Sequence, residues 1–376
     1  MPAQAAPRTP QSDAEVLATV PARRIDPRAR EMAALRAAWR AWPQDEVAAV
    51  ALAQRYFEQV AAEGDPRYIG YAQAVLQPWW GLDQPPLQVR VLRAKLRQFD
   101  HQFDAALADL DAALAEEPTL GDAWAWRVAI LMVSARYDEA RASCERLVPL
   151  AAPLVGASCR AQVDAVTGRA TQAAAALRAA LQRHTDAPAE ERLWALTRLA
   201  ETEERRGAYA AAEAAFRQAL ALGLPDVYLQ AAYADFLLDR GRAAEVLTLL
   251  QDAGRADLLL LRLALAARAA GDARAPRLAE ELAARFEAAR RRGDSTHEKE
   301  ESRFLLSLQG DAARALELAQ HNWAAQREPA DARVLLEAAL ATRNAAAAAP
   351  VLAWMQASRI ESVALKALAA RLKALS

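Results

Sequence analysis

The feature that most constrains the fold of this chain is a pair of residues that recurs five times at a nearly constant spacing. A small residue or valine is followed four positions later by a cysteine, leucine or phenylalanine, and successive pairs begin 34, 33, 39 and 34 residues apart. Residues four apart share one face of an α-helix. The pairs are Ala106 and Leu110, Ala140 and Cys144, Ala173 and Leu177, Ala212 and Phe216, and Val246 and Leu250. This period predicts a chain of repeated helical units rather than one growing core.

Glycines mark one corner of the unit, because Gly168, Gly207 and Gly241 stand at matching positions ahead of the recurring pairs. The stretch 193–225 shows the whole unit: an amphipathic helix, a glycine turn, a second helix and a stop at Pro225. Composition agrees, since the chain is 54% hydrophobic but only 6% aromatic, as expected of helices packed through small residues. The sequence therefore predicts an all-α fold of stacked helical hairpins.

These residues resemble the tetratricopeptide repeat, a helix–turn–helix unit of about 34 residues. The unit from 193 matches the family pattern at Leu199, Gly207, Tyr209, Ala212, Phe216 and Ala219. The unit from 87 matches at Phe103, Ala106, Leu110, Ala113 and Pro118, and the unit from 121 matches at Trp124, Tyr137 and Ala140. Looser units cover 155–181, 227–250, 257–289, 296–323 and 331–355. The resemblance implies a right-handed α-solenoid in which the first helices of successive hairpins line a concave surface.

We expect four segments along the chain. Residues 1–25 mix proline, alanine and polar residues without a period, which is typical of a flexible arm. Residues 26–86 form an N-terminal helical cap, 87–355 the repeat array and 356–376 a C-terminal capping helix. Pro276 and Pro350 fall in second helices, where the family pattern favours alanine, so the register of the units after residue 255 stays open.

Counting excludes several classes of site. No two of the 13 glycines are separated by a single residue, and none of the four lysines follows a glycine, so dinucleotide-binding and P-loop motifs are absent. The four histidines lie far apart, so we expect no metal site, no cofactor and no enzymatic activity. The formal charge of -1 argues against nucleic-acid binding. No apolar stretch is long enough to cross a bilayer.

The chain has two cysteines, Cys144 and Cys159, which are too few for a zinc site. They fall on consecutive helices in the repeat register. Either they are two small core residues, or they form one disulfide in an oxidising compartment.

The resemblance also predicts the residues that face a ligand, because positions a turn apart on each first helix point to the concave surface. This predicted partner-binding set is Gln88, Lys95, Gln98, Met132, Trp194, Glu201, Glu204, Arg205, Tyr228, Asp235 and Asp239. The lysine and asparagine clamp that some relatives use for a terminal carboxylate is missing from the first helices of the units from 87, 121 and 193. The sequence therefore disfavours a protein that binds the C-terminal carboxylate of a peptide through such a clamp.

Four members of this set, Glu201, Glu204, Asp235 and Asp239, bring carboxylates onto neighbouring helices. They could attract a basic segment of a partner. The alternative is a set of carboxylates already paired with arginines of this chain, such as Arg198, Arg205 and Arg240.

Trp79 and Trp80 follow a proline at the junction between the cap and the array. They could plug that junction, or they could stand exposed as an aromatic anchor for a partner.

We therefore expect a non-catalytic scaffold that binds a peptide or helix of a partner protein on its concave face. The alternative is a structural or assembly factor that acts through self-association or through its convex face. Arginine outnumbers lysine by 43 to 4, which suggests a GC-rich bacterial genome. Ala3-Gln4-Ala5 resembles the end of an export signal. We expect a periplasmic location, with the cytoplasm as the alternative.

Overall fold

The computed structural model describes residue 12 and residues 27–251, 256–292 and 297–375. All regular elements within these residues are helices, and none is a strand. The all-α prediction is confirmed. The arm predicted at residues 1–25 lies outside the described residues, apart from Ser12.

Four helices form the N-terminal cap. Asp45 begins the second helix by accepting the backbone N–H groups of Val47 and Ala48, and Gly64 ends it with a φ of 67°. Leu52 and Ile69 belong to a buried cluster that joins the cap to the first helix of the array. The cap helices are α1 (Pro27–Ala41), α2 (Glu46–Glu63), α3 (Arg67–Val75) and α4 (Gln77–Trp80).

Eight helical hairpins follow within the described residues, one for each unit read from the sequence, and a final helix closes the chain. The hairpins are α5 (Leu87–Phe99) with α6 (Phe103–Glu116), α7 (Gly121–Val133) with α8 (Tyr137–Leu147), α9 (Pro153–Val166) with α10 (Ala170–Arg183), α11 (Ala189–Arg205) with α12 (Tyr209–Leu220), α13 (Val227–Asp239) with α14 (Ala243–Leu249), α15 (Asp257–Ala270) with α16 (Ala275–Arg291), α17 (Glu298–Phe304) with α18 (Ala312–Ala325), and α19 (Pro329–Ala341) with α20 (Ala349–Ser358). A π-helical turn (Leu305–Gln309) extends α17, a 3₁₀ turn (Ala345–Ala348) precedes α20, and α21 spans Val363–Lys373.

The recurring pairs form the contacts between helices. All ten of their residues are at most 1% exposed. A hairpin of this size cannot bury its apolar face alone, so stacking against the next hairpin completes the core. The residues that recur in the sequence are therefore the residues that form the interfaces between packed helices.

Each hairpin turn contains a residue with a positive φ. In six of the eight hairpins it stands two positions before the second helix, and in the last hairpin it stands two positions before the 3₁₀ turn. Glycine meets this requirement at no steric cost, as at Gly207 with a φ of 81°. His101, Ala135 and Arg343 have the positive φ at the turns of three other hairpins. Glycine therefore marks some of the hairpin turns in the sequence but not all of them.

Pro276 and Pro350, which left the register of the later units open, are compatible with the hairpins because each lies in the first turn of its helix. Pro276 and Pro350 are each the second residue of their helix, α16 and α20. The first turn of a helix tolerates proline because its N–H groups have no intrahelical acceptor.

The array coils until its late hairpins meet its early ones. The Arg327 N–H donates to the Val133 carbonyl at 2.7 Å, and the Trp354 indole donates to the Tyr137 hydroxyl at 2.9 Å. One buried cluster contains residues from α7 and from α19 and α21. At the other end, Phe57 of α2 packs on a ring of α7 at 5.3 Å between centroids. The expected open concave trough is therefore closed into a central cavity.

Cys144 of α8 and Cys159 of α9 form a disulfide with a Cα–Cα distance of 5.8 Å. Both residues are fully buried. The bond joins the second hairpin to the third.

Candidate functional site

The candidate site is the central cavity, whose volume is about 810 Å³. Residues from the first helix of all eight hairpins line it, together with residues of α2 at one side and α21 at the other. Such a volume falls within the range of small-ligand and peptide side-chain pockets.

Eight of the eleven predicted partner-binding residues line this cavity. They are Gln98, Met132, Glu201, Glu204, Arg205, Tyr228, Asp235 and Asp239. Tyr228 is the one aromatic residue among these eight, and 47% of it is exposed.

Three members of the predicted set lie elsewhere. Lys95 is buried beneath α2, where its Nζ lies 2.7 Å from Asp122 and donates to Gln54 at 3.3 Å. The cap covers that part of the concave surface, so Lys95 is a structural residue. Gln88 and Trp194 lie in the N-terminal halves of α5 and α11, whereas these two helices meet the cavity with their C-terminal halves.

The carboxylates that were expected to attract a basic partner have partners within the chain. Asp235 pairs with Arg262 at 2.8 Å and with Arg303 at 2.6 Å. Asp239 accepts two hydrogen bonds from Arg333, at 2.5 and 2.7 Å. The basic groups therefore come from α15, α17 and α19 of the same chain.

Glu201 is committed in the same way. It pairs with Arg198 at 3.1 Å and accepts a hydrogen bond from the Tyr228 hydroxyl. Enclosure in the cavity raises the pKa of Tyr228, so its hydroxyl stays protonated and keeps donating.

Two cavity carboxylates show opposite effects of their surroundings. Burial alone would raise the pKa of Asp235, but the Arg262 and Arg303 guanidiniums outweigh it and hold that pKa well below its usual range. Burial, helped by the carboxylates of its neighbours, raises the pKa of Glu204 to about 7. Among the described residues, Glu204 is the predicted carboxylate without an ion pair.

The cavity also contains arginines stacked on tyrosine rings. The guanidinium carbon of Arg198 lies 4.9 Å from the Tyr228 ring centroid, and that of Arg240 lies 3.3 Å from the Tyr209 ring centroid. Stacking holds a planar guanidinium in place without consuming its hydrogen-bond donors.

A buried charge cluster between α17 and α19 was missed by the sequence reasoning. Lys299 lies 3.6 Å from Asp331 and 3.8 Å from Glu300. Burial opposes its charge, but these carboxylates raise the pKa of Lys299 and keep it charged. The rarity of lysine in the sequence draws attention to Lys299. It does not show that α17 and α19 pack together, so the cluster could not be predicted from it.

Trp79 and Trp80 are half-buried and pack against the cluster that joins cap and array. The Trp80 carbonyl accepts a hydrogen bond from Arg93 at 2.7 Å, and Arg93 also donates to Asp109 at 2.6 and 2.9 Å. This placement favours the junction plug over the exposed anchor.

Nothing in the described part of the chain groups three or more His, Cys, Asp or Glu side chains in a way that could hold a metal. The helices whose residues are described are too short or too polar to cross a membrane.

The succession of hairpins is shared with a solved structure of low sequence identity. The crystal structure of the APC/C hetero-tetramer Cut9–Hcn1 matches over 88% of this chain, with 14% identity and a TM-score of 0.51. Cut9 is a tetratricopeptide-repeat protein. The chain folds as a tetratricopeptide-repeat solenoid. It spans 63% of the length of the matched chain.

Two other tetratricopeptide-repeat structures match with lower scores. A tetratricopeptide repeat protein from Parabacteroides merdae shares 14% identity over 76% of this chain and 98% of its own, with a TM-score of 0.38. The TPR domain of P58(IPK) shares 13% identity over 77% of this chain and 98% of its own, with a TM-score of 0.27. No protein-family model and no curated protein matches the sequence. At these identities the likeness concerns the tetratricopeptide-repeat fold alone.

Proposed function

We propose that this protein is a non-catalytic interaction scaffold that holds a peptide or helical segment of a partner protein in its central cavity. The observation that carries the proposal is that the first helices of all eight hairpins contribute to one cavity. A tetratricopeptide-repeat fold suits protein interaction in general.

Rigidity supports the same proposal. Ion pairs across the cavity, such as Asp239 with Arg333, fix its walls before a partner arrives. A preorganised site loses little conformational entropy on binding, so more of the interaction energy appears as affinity. The volume of about 810 Å³ admits several side chains of a segment but not a folded domain.

The expectation of a basic partner segment has lost its support. Glu201, Asp235 and Asp239 already have basic or hydroxyl partners within the chain. A basic segment would have to displace those partners before it gained anything.

Site-specific photo-crosslinking in the native host tests the proposal. A photoreactive residue at Ala330, which is exposed in the cavity wall, is compared with one at Ala175, which is exposed on the second helix α10. We expect the cavity position to cross-link one defined segment of a partner protein, identified by mass spectrometry.

A synthetic peptide of that segment then binds the purified protein, and Ala330→Trp weakens binding whereas the matched Ala175→Trp does not. Cross-links confined to residue 175, or equal binding by both tryptophan variants, would rule out the cavity as the binding site.

One observation favours a second candidate, assembly through the outer surface. Trp42 and Val47 of the cap are 74% and 77% exposed, and large exposed apolar residues are common at protein interfaces. Light scattering separates the two functions, because a monomer at all concentrations argues against self-association.

We also propose that the protein works in an oxidising compartment such as a bacterial periplasm. The buried disulfide between Cys144 and Cys159 supports this, since disulfides persist in such compartments and are rare in the cytosol. Alkylation of the protein as isolated from its host, without reductant, tests it: two blocked thiols would place it in a reducing compartment.

A further inference from the structure

The charged side chains that line the cavity without an ion pair indicate which charge a ligand must carry to pair with them. Among the described residues, the cavity arginines with no carboxylate within ion-pair distance are Arg205, Arg240 and Arg327. The carboxylates in that position are Glu204, Asp226 and Glu328, and of these Asp226 and Glu328 cap α13 and α19 by accepting backbone N–H groups. The cavity therefore has more uncommitted cationic groups than uncommitted anionic ones.

Arg205 ends α11 and is half-buried, as is Arg240, whereas Arg327 is exposed. The structure gives the Arg205 guanidinium one hydrogen bond, a long one of 3.4 Å to the Thr202 hydroxyl. Its Nε is buried and has no acceptor. A guanidinium whose Nε is buried without an acceptor carries a desolvation cost, and an added carboxylate would reduce that cost.

Arg240 follows α13 and is held by stacking rather than by an ion pair. Its guanidinium carbon lies 3.3 Å from the Tyr209 ring centroid and 5.3 Å from that of Phe236. Its Nε is also buried without an acceptor. The side chain is therefore positioned like an arginine that binds a planar oxyanion, which takes two parallel N–H donors.

The two signs of ligand charge meet different conditions. A cation entering the cavity must compete with Arg262, Arg303 and Arg333 for carboxylates that these residues already hold. An anion meets Arg205 and Arg240, whose donors have no carboxylate to release. The cavity therefore favours an anionic ligand although its acidic residues are the more conspicuous in the sequence.

We propose that the partner segment is acidic, and that Arg205 and Arg240 bind the carboxylates of its Asp or Glu side chains. This inference rests on the proposed function, because it assigns the chemistry of the segment that the cavity holds. It reverses the charge that the sequence suggested for the partner.

Fluorescence anisotropy with short labelled peptides tests the inference. The probe is a hexaglutamate peptide with an amidated C-terminus, so that only side-chain carboxylates are present. Hexalysine and hexaglutamine peptides of the same form are the comparisons, and inorganic phosphate is the competitor. The variants are Arg205→Gln and Arg240→Gln, with Arg217→Gln as control, since Arg217 is exposed on the second helix α12 and pairs with Glu213.

We expect hexaglutamate to bind more tightly than the other two peptides, with an affinity that falls as salt rises. Each cavity variant should weaken it about tenfold or more, as expected for the loss of one charge-assisted contact, and Arg217→Gln should leave it unchanged. Circular dichroism of each variant establishes that the helices remain folded.

Three results would overturn the inference: no binding of hexaglutamate, binding that both cavity variants leave unchanged, or tighter binding of hexalysine. If inorganic phosphate displaces hexaglutamate at constant ionic strength, the site binds oxyanions in general and the assignment to carboxylates is wrong. Failure here is distinguishable from failure of the proposed function, because the cross-linking from residue 330 does not depend on the charge of the segment.

Discussion

Replacing Glu204 with glutamine should change how the stability of this protein depends on pH. Burial, together with the carboxylates of Asp239, Glu201 and Asp235, raises the pKa of Glu204 from 4.5 to about 7 against the opposing charge of Arg205. Glutamine keeps the size of the side chain and resembles the protonated carboxyl, so the variant removes the titration without opening a cavity.

The sign follows from proton binding. Because the folded state has the higher pKa, it binds more protons than the unfolded state between pH 4.5 and about 7. The wild-type protein therefore loses stability as pH rises through this interval, and the loss is complete above pH about 7. At about 1.36 kcal/mol for each pH unit, the interval gives a loss of at most about 3 kcal/mol, since partial exposure of the side chain reduces it.

Urea denaturation followed by circular dichroism, at pH values from 4.5 to 8.5, measures this effect. We expect the free energy of unfolding of Glu204→Gln, relative to the wild type, to rise between pH 4.5 and 7 and to level off above. Glu190→Gln, which removes an exposed charge from the same helix, is the matched control. A difference between Glu204→Gln and wild type that stays constant across this range would refute the reasoning.

Three further predictions concern stability. Phe216→Ala removes a fully buried ring from the interface between hairpins and should cost about 3–5 kcal/mol in the free energy of unfolding; a loss below about 1 kcal/mol would contradict the packing. Arg93→Ala leaves the buried carboxylate of Asp109 with one fewer partner and should destabilise by about 3 kcal/mol, measured by the same denaturation. Replacing Cys144 and Cys159 with alanine opens a loop with a sequence separation of 15 and should lower stability by up to about 3 kcal/mol; reductant should then shift the unfolding midpoint of the wild type but not that of the variant.

The hairpins could be predicted from the sequence because their packing is local. The recurring pair is buried at all five of its sites, and neighbouring hairpins meet through residues about one period apart. The corners were harder to find. His101 and Ala135 adopt the positive φ that the turn requires, and a non-glycine residue gives no sign of it.

The candidate site could be predicted only in part, because its lining depends on how far the array coils. The positions on α11 and α13 follow from helical spacing, and the structure places most of them in the cavity. Their partners do not follow from spacing. Arg333 reaches Asp239 across a sequence separation of 94 residues, and small rotations summed over several hairpins determine that approach. For this reason the partner charge that we propose differs from the charge expected from the sequence.

Closure of the array is the claim on which the cavity and its chemistry depend, and cross-linking measures it directly. The backbone carbonyl of Val133 in the second hairpin accepts the N–H of Arg327, which lies just before the eighth hairpin. With both native cysteines held in the disulfide, a variant with Val133→Cys and Arg327→Cys has two reactive thiols. We expect a short bifunctional maleimide to join residues 133 and 327 within one monomer, as seen by mass spectrometry, and to leave a pair at residues 217 and 327 unjoined. A monomer in which 133 and 327 do not cross-link would show an open solenoid and contradict the account.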